Sequence, residues 1–297
     1  MSAASPRPRL PRHGGARGRP ARQTRDRFAV GYVGLMVFAV VVVLVMAVPA
    51  FFVVPVSFSP TRFLIFPPDG FSLRWYETYF TTSEWTEATI YSVVLACLTT
   101  ATSLVIGVPA AFGLARGRFR GKQAINLLLV MPLIVPIILI AMAEYFFLTE
   151  INLRGTTAGL VIAHTILALP FVVIIVTAAL RPFDRSYERA AMSLGAGPLQ
   201  TFWQITLPLI RPGVLSAALF AFLASFGEFL TSEFVIGVTR TTLPIQLWKG
   251  IRFETNPTIA AAASLLVAFS ILALLCVELV RWQSGRRTAA PGEVSRR

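Results

Sequence analysis

Three carboxylates lie inside apolar runs where a membrane-type sequence should carry no charge: Glu144, Glu228 and Glu233. An ionised side chain at the centre of a membrane helix costs roughly 3 kcal/mol on insertion scales. Such residues face a bundle interior or a wet cavity, pair with a partner, or mark an ion or substrate path. Ser225, Glu228 and Ser232 recur at spacings of three and four, so on a continuous helix they form one polar stripe. Glu228 and Glu233 are five apart, about 140° around a helix of 3.6 residues per turn, and do not both point into one cavity. We expect Glu228 to line a polar path; the alternative is that it is protonated or satisfied by a neighbouring helix. Glu144 and Glu233 are further candidates for the same path.

Other chemistries lack their residues. The two histidines are His13, in a basic stretch, and His164, in an apolar run, so no HExxH site exists. His164 reads as a helix–helix hydrogen-bond partner, as do Asn126, Thr165 and Thr177. Cys97 and Cys276 lie in apolar runs with no CxxC, which excludes a disulfide framework and a thiolate zinc site. Gly117-Arg-Phe-Arg-Gly121-Lys122-Gln123 imitates a phosphate loop. It has three residues between its glycines instead of four, and Gln follows the Lys. No nucleophile–base constellation supports an enzyme. The expectation is a chain with no cofactor or metal, and no ATP hydrolysis of its own.

The elements that position these residues are apolar helices. The chain has 297 residues, 55% hydrophobic and 14% charged, with a mean hydropathy of +0.69. Soluble domains carry roughly 25% charged residues, so a soluble enzyme and a disordered protein are both excluded. Residues 28–57 form a first apolar span, ended or kinked near Pro49 and Pro55. Five further runs are long enough to cross a bilayer: 88–115, 124–148, 157–180, 213–237 and 258–282. Pro132 and Pro136 should bend or unwind the third span; the fifth shows no comparable break. The predicted fold is all-α with six transmembrane helices. Of 27 basic residues, 21 fall in one set of flanking segments and 6 in the other. The positive-inside rule then places both termini in the cytoplasm. The net charge of +13 therefore reports topology, not nucleic-acid binding. Residues 1–27 and 283–297 read as basic tails. In the outer loop 58–87, Trp75, Tyr76, Tyr79 and Trp85 read as interfacial anchors.

The longest cytoplasmic loop, about 181–212, has too regular a pattern for a linker. It reads Tyr187-Glu188-Arg189-Ala190-Ala191-Met192-Ser193-Leu194-Gly195, with Ile205-Thr206-Leu207-Pro208 further on. Ala190, Ala191 and Leu194 share a helical face, and Gly195 follows where a helix can end. Phe202, Ile205 and Leu209 make a second stripe. Two short helices about a Gly turn would build a compact knob, with small alanines permitting close approach by another protein.

This loop resembles the EAA motif of ABC-transporter permeases, the membrane subunits of binding-protein-dependent importers. Ala190, Ala191, Gly195, Ile205, Leu207 and Pro208 match it in type and spacing. The motif's Glu falls on Arg189, with Glu188 one residue early, so a docking salt bridge is either shifted to Glu188 or inverted at Arg189. Gly70-Phe-Ser-Leu-Arg-Trp-Tyr76 and Thr242-Leu-Pro244, with Ile251-Arg-Phe253 and Asn256-Pro257, resemble the second permease subunit of the spermidine/putrescine branch. The resemblance implies a type I importer permease core over residues 88–282, in the bacterial cytoplasmic membrane. It implies a second homologous permease, two ATP-binding subunits docked on the EAA loop and an extracytoplasmic solute-binding protein. The implied substrate is a polyamine; related branches carry thiamine, iron(III) or other small solutes. An ion-coupled secondary transporter is the competing reading, and inverted halves with paired broken helices would favour it.

Overall fold

A computed structural model describes residues 21–237, 240–253 and 257–288. Its helices are α1 (Ala21–Val56), α2 (Arg74–Thr81), α3 (Ser83–Arg116), α4 (Lys122–Val130), α5 (Ile137–Glu150), α6 (Thr157–Leu180), α7 (Ser186–Ser193), α8 (Pro198–Thr201), α9 (Leu207–Phe226), α10 (Leu230–Ile236), α11 (Leu243–Phe253) and α12 (Thr258–Thr288). No strand occurs among the described residues. The chain divides into two units, residues 1–51 and residues 52–297. In the first unit the apolar length of α1 presents Leu35, Phe38, Val43 and Met46 as exposed side chains. Helix α1 begins at Ala21, inside the predicted tail, because Ala, Arg and Gln there favour continuation of the helix. The tail at 1–20 and the end of the C-terminal tail, 289–297, lie outside the described residues.

Among the described residues five helices are long and apolar enough to cross a membrane, and a sixth span results if α4 and α5 are counted together. Those two are bent by 101° at their junction. Pro132 and Pro136 account for this. Each lacks an amide donor, so the helical hydrogen bond to the carbonyl four residues earlier is lost at both positions. Residues Met131–Leu133 tighten into a 3-10 turn and α5 restarts after Pro136.

In the second unit the core is a three-helix contact of α3, α6 and α9. Val108, Ala111, Val172, Val176, Ile210 and Ala217 are buried in it. Small residues set the spacing, as membrane helices require when apolar burial alone does not draw them together. A Cβ built on Gly107 would lie 2.6 Å from Val172 Cγ1, and one on Gly213 would collide with the Ala179 Cβ.

Two sequence expectations need correction here. Three of the aromatic residues read as interfacial anchors are packed inside the protein: Trp75 and Tyr79 of α2 and Trp85 in the first turn of α3 are each only 4% exposed. Helix α2 folds back on α3 and α12, Trp75 Nε1 donates to the Ser59 carbonyl at 2.7 Å, and the Tyr79 hydroxyl bonds Thr89 at 2.6 Å. Burial pushes the Tyr79 phenol above its ordinary pKa. The fifth span is also not continuous. It stops at Phe226, leaves the helix through Gly227, Glu228 and Phe229, and resumes as α10. No proline marks this break, so the apolar pattern ran through it unseen.

Candidate functional site

The loop after α6 folds into the expected knob. Ser186 N–H donates to Asp184 Oδ1 at 2.9 Å as α7 begins, which holds the Asp184 carboxyl below its ordinary pKa. At the other end Gly195 adopts φ +91°. Ala196 N–H then reaches the Ala191 carbonyl at 3.1 Å and Gly195 N–H the Met192 carbonyl at 3.0 Å. These two bonds are a Schellman closure, which needs a left-handed residue at this position and so favours glycine. Pro198 opens α8. The second helix of the knob is not separate, however. Helix α8 runs through a π-helical turn, Phe202–Thr206, directly into α9. Pro208 and its missing amide, four residues past Gln204, account for that widening. Any force on the knob is therefore applied to a helix that continues into the membrane core.

The knob's two faces differ. Phe202 turns inward against the core and meets Phe112 edge-on at 5.7 Å. Leu194 and Trp203 are 89% and 61% exposed, and Tyr187, Arg189, Ala190 and Leu199 are exposed beside them. Ile205, Leu207 and Pro208 are partly buried where the knob joins α9. Glu188 is turned away from the exposed face. Its Oε1 accepts from Thr206 Oγ1 at 2.9 Å and pairs with Arg116 Nη2 at 3.5 Å, with about 13% of the Glu188 side chain exposed. Arg185 Nη2 donates to the Arg116 carbonyl at 3.5 Å. The end of α3 is thus tied to α7 and to the π turn. Of the two positions for the motif's acid, Glu188 is engaged within the chain, while Arg189 is exposed.

The membrane polar residues form a second cluster around the break in the fifth span. His164 of α6, about 1% exposed, is a helix–helix link as expected. Its Nδ1 is 2.8 Å from Ser225 Oγ and its Nε2 is 2.9 Å from Ser232 Oγ. Ser225 and Ser232 therefore face His164, and the anticipated stripe with Glu228 does not exist as a helical face. Glu228 sits in the non-helical gap, half-buried, where its Oε1 accepts from Thr231 N–H at 2.9 Å at the start of α10. Glu144 of α5 is about 5% exposed. Helix α5 packs on α10, so Glu144 faces Thr231 and Glu228. Glu233 lies on the exposed side of α10. Thr165 bonds Thr102 at 2.7 Å across α6 and α3, whereas Asn126 is exposed. No group of three or more metal-ligating side chains occurs among the described residues.

Sequence reasoning missed two members of these clusters. Thr231, buried in α10, carries no signal distinct from an ordinary membrane threonine. Arg116 could have been found as the basic residue that ends an apolar run, but its partner is 72 positions away.

In the second unit, apolar spans packed around α3, α6 and α9 carry a knob that runs directly into α9. Residues 103–283 match the family described as binding-protein-dependent transport system inner membrane component. The chain belongs to that family and is a multi-pass inner-membrane subunit of an ABC importer. It is 29% identical over 243 residues to the spermidine/putrescine transport system permease protein PotC of Haemophilus influenzae, covering 82% of this chain and 94% of that one. It is 32% identical over 226 residues to the putrescine transport system permease protein PotI of Escherichia coli, covering 74% and 80%. It is also 36% identical over 196 residues to the molybdenum transport system permease protein ModB of Mycobacterium tuberculosis, covering 61% and 73%. In fold it is similar to a chain of a bacterial ABC transporter that imports alginate, with a TM-score of 0.61 at 17% identity, covering 90% of this chain and 99% of that one.

Proposed function

We propose that this chain forms half of the translocation path of an ATP-driven importer of polyamines. It pairs with a second homologous permease and works with two separate ATP-binding subunits and a solute-binding protein. The observation that carries the coupling role is the knob: an exposed face of Tyr187, Arg189, Ala190, Leu194 and Trp203 on a helix continuous with α9. The ATP-binding subunit docks there from the cytoplasm, where both termini also lie. Arg189 replaces the acid usual in this motif, so the ATP-binding subunit presents a carboxylate to it.

The polyamine reading rests on the two polyamine relatives and on the half-buried Glu228 in the gap of the fifth span. A carboxylate at that depth suits a cation. The ModB relative supports the same importer with an oxyanion instead, a cargo that Glu228 would repel. Gentle solubilisation of the tagged chain should recover a P-loop ATPase and a second permease. Uptake of labelled putrescine into cells carrying the complete system should exceed that of molybdate. Recovery of the chain alone, or uptake of molybdate and not of putrescine, would sink the respective half of the proposal.

A further inference from the structure

A cavity of about 430 Å3 lies where the end of α3, the start of α4 and the end of α6 meet, at the end of the bundle that carries the knob. Its polar wall is Lys122, Gln123 and Asn126 in the first two turns of α4, with Thr177 and Arg181 at the end of α6. The rest is apolar, and no carboxylate lines it. Lys122 is half-buried, and its Nζ donates to the Gly117 carbonyl at 3.2 Å, which holds the ammonium in place. Neither Lys122 nor Arg181 forms an ion pair among the described residues. Gln123, Asn126 and Arg181 are exposed, so these side chains are open to a ligand. Helix α4 begins after Gly121, at φ +85°, with no side-chain cap, which leaves the amides of its first turn without a helical acceptor. Arg118 and Arg120, on the turn before α4, are exposed as well.

From this geometry we infer that the cavity binds a phosphate group, carried by the headgroup of an anionic phospholipid or by a soluble phosphate ester. Lys122 and Arg181 supply positive charge from two different spans, and the side-chain amides of Gln123 and Asn126 supply further donors. The chemistry follows from the lining. Two cations with no acid between them repel a metal ion or an amine. A phosphate offers several acceptor oxygens, which a guanidinium and an ammonium meet with charge-assisted hydrogen bonds. Basic pockets between membrane helices on the cytoplasmic side suit lipid headgroups, and this volume lies within the range of small-ligand sites. The segment from Gly117 to Lys122 lacks the spacing of a nucleotide loop; here the donors are side chains of two helices. The inference goes beyond the proposed transport function and takes from it only that the knob end of the bundle faces the cytoplasm.

The test uses the permease–ATPase complex, purified in detergent and stripped of lipid, with phosphatidylglycerol, phosphatidylcholine and glycerol 3-phosphate as probes. Retention of phosphatidylglycerol over phosphatidylcholine in native mass spectrometry identifies the lipid headgroup as the ligand. Saturable broadening of the phosphorus NMR line of glycerol 3-phosphate identifies a soluble ester instead. Either pattern supports the inference. Lys122→Gln and Arg181→Gln should each weaken binding of that probe about tenfold or more, the scale of a lost hydrogen bond to a charged group. Asn126→Trp, which fills the cavity and leaves its charge in place, should weaken it as well and serves if a charge variant fails to assemble. Arg118→Gln removes the same charge outside the cavity and should leave binding unchanged. Binding of neither anionic probe, or binding indifferent to Lys122, Arg181 and Asn126, overturns the inference. An equal loss in Arg118→Gln also overturns it, since the anion would then be held by a diffuse basic surface. So does a zero-length cross-link between Lys122 and a carboxylate of another subunit, which would make that acid the occupant of the cavity. Polyamine uptake is read separately in the complete system, so failure of this site leaves the transport reading standing.

Discussion

His164 Nε2 lies 2.9 Å from Ser232 Oγ, and that hydroxyl donates its one proton to the main-chain carbonyl of Glu228 at 3.1 Å. Ser232 must therefore accept from His164, which fixes the Nε2–H tautomer. Nδ1 then accepts from Ser225 Oγ–H at 2.8 Å. One imidazole thus spans the break in the fifth span, bonded to a serine on each side. Replacing His164 with Phe leaves the buried Ser225 hydroxyl without this partner and Ser232 with the Glu228 carbonyl alone. We expect a loss of about 1–3 kcal/mol, read as a lower unfolding midpoint in detergent. A midpoint equal to the wild type would show that the gap is held by other contacts. Nitrogen NMR of labelled histidine should report the Nε2–H form.

The Arg116–Glu188 pair joins the end of α3 to the knob. The two side chains are only 15% and 13% exposed but the contact is long at 3.5 Å, so the pair is worth about 1–2 kcal/mol. A double-mutant cycle of Arg116→Ala and Glu188→Ala should give a coupling energy of that size. Its larger effect should be on work done through the knob. Glu188→Gln keeps the Thr206 acceptor but not the charge, and should lower transport per ATP hydrolysed more than it lowers ATPase rate. An unchanged ratio would assign Glu188 to knob stability alone.

Gly195 closes α7 at φ +91°, and a Cβ there would meet nothing within 4 Å. Gly195→Ala therefore tests backbone strain without steric collision. The cost is about 1 kcal/mol, confined to the knob. Limited proteolysis between α7 and α8 should accelerate several-fold while the global unfolding midpoint moves little.

Gly107 is a close approach of α3 to α6. A side chain there would meet Val172 Cγ1 at 2.6 Å and Leu169 Cδ1 at 3.1 Å. Gly107→Leu should cost about 1–3 kcal/mol by overpacking, and Gly107→Ala less. Thermal unfolding of the pair should rank them in that order; Gly34→Leu, where nothing lies within 4 Å, is the control.

Trp75 gives its indole proton to the Ser59 carbonyl while both residues are buried. Trp75→Phe retains most of the apolar contact but strands that carbonyl, at about 1–3 kcal/mol. Hydrogen exchange should rise in α2 first, since the bond anchors that helix to the preceding loop.

What the sequence determined by itself is whatever depends on local chain chemistry. Apolar length specified the spans, because a bilayer core sets how many residues must be uncharged. Pro132 and Pro136 located the elbow, because a missing amide acts on its own helix. The spacing of Ala190, Ala191, Gly195 and Pro208 defined the knob, because a Schellman closure is made within a few residues. Only the tertiary structure decided the rest. The break at Gly227–Phe229 has no proline, and it is bridged by His164 from a different helix. Glu188 was ambiguous until Arg116, 72 residues earlier, turned out to be its partner. Trp75, Tyr79 and Trp85 have the composition of interfacial anchors, yet they are buried because α2 folds onto α3 and α12. Glu144 became distinctive only when helix packing enclosed it beside Thr231. In each case the deciding interaction joins residues far apart in the chain, and local spacing carries no record of which distant group will arrive.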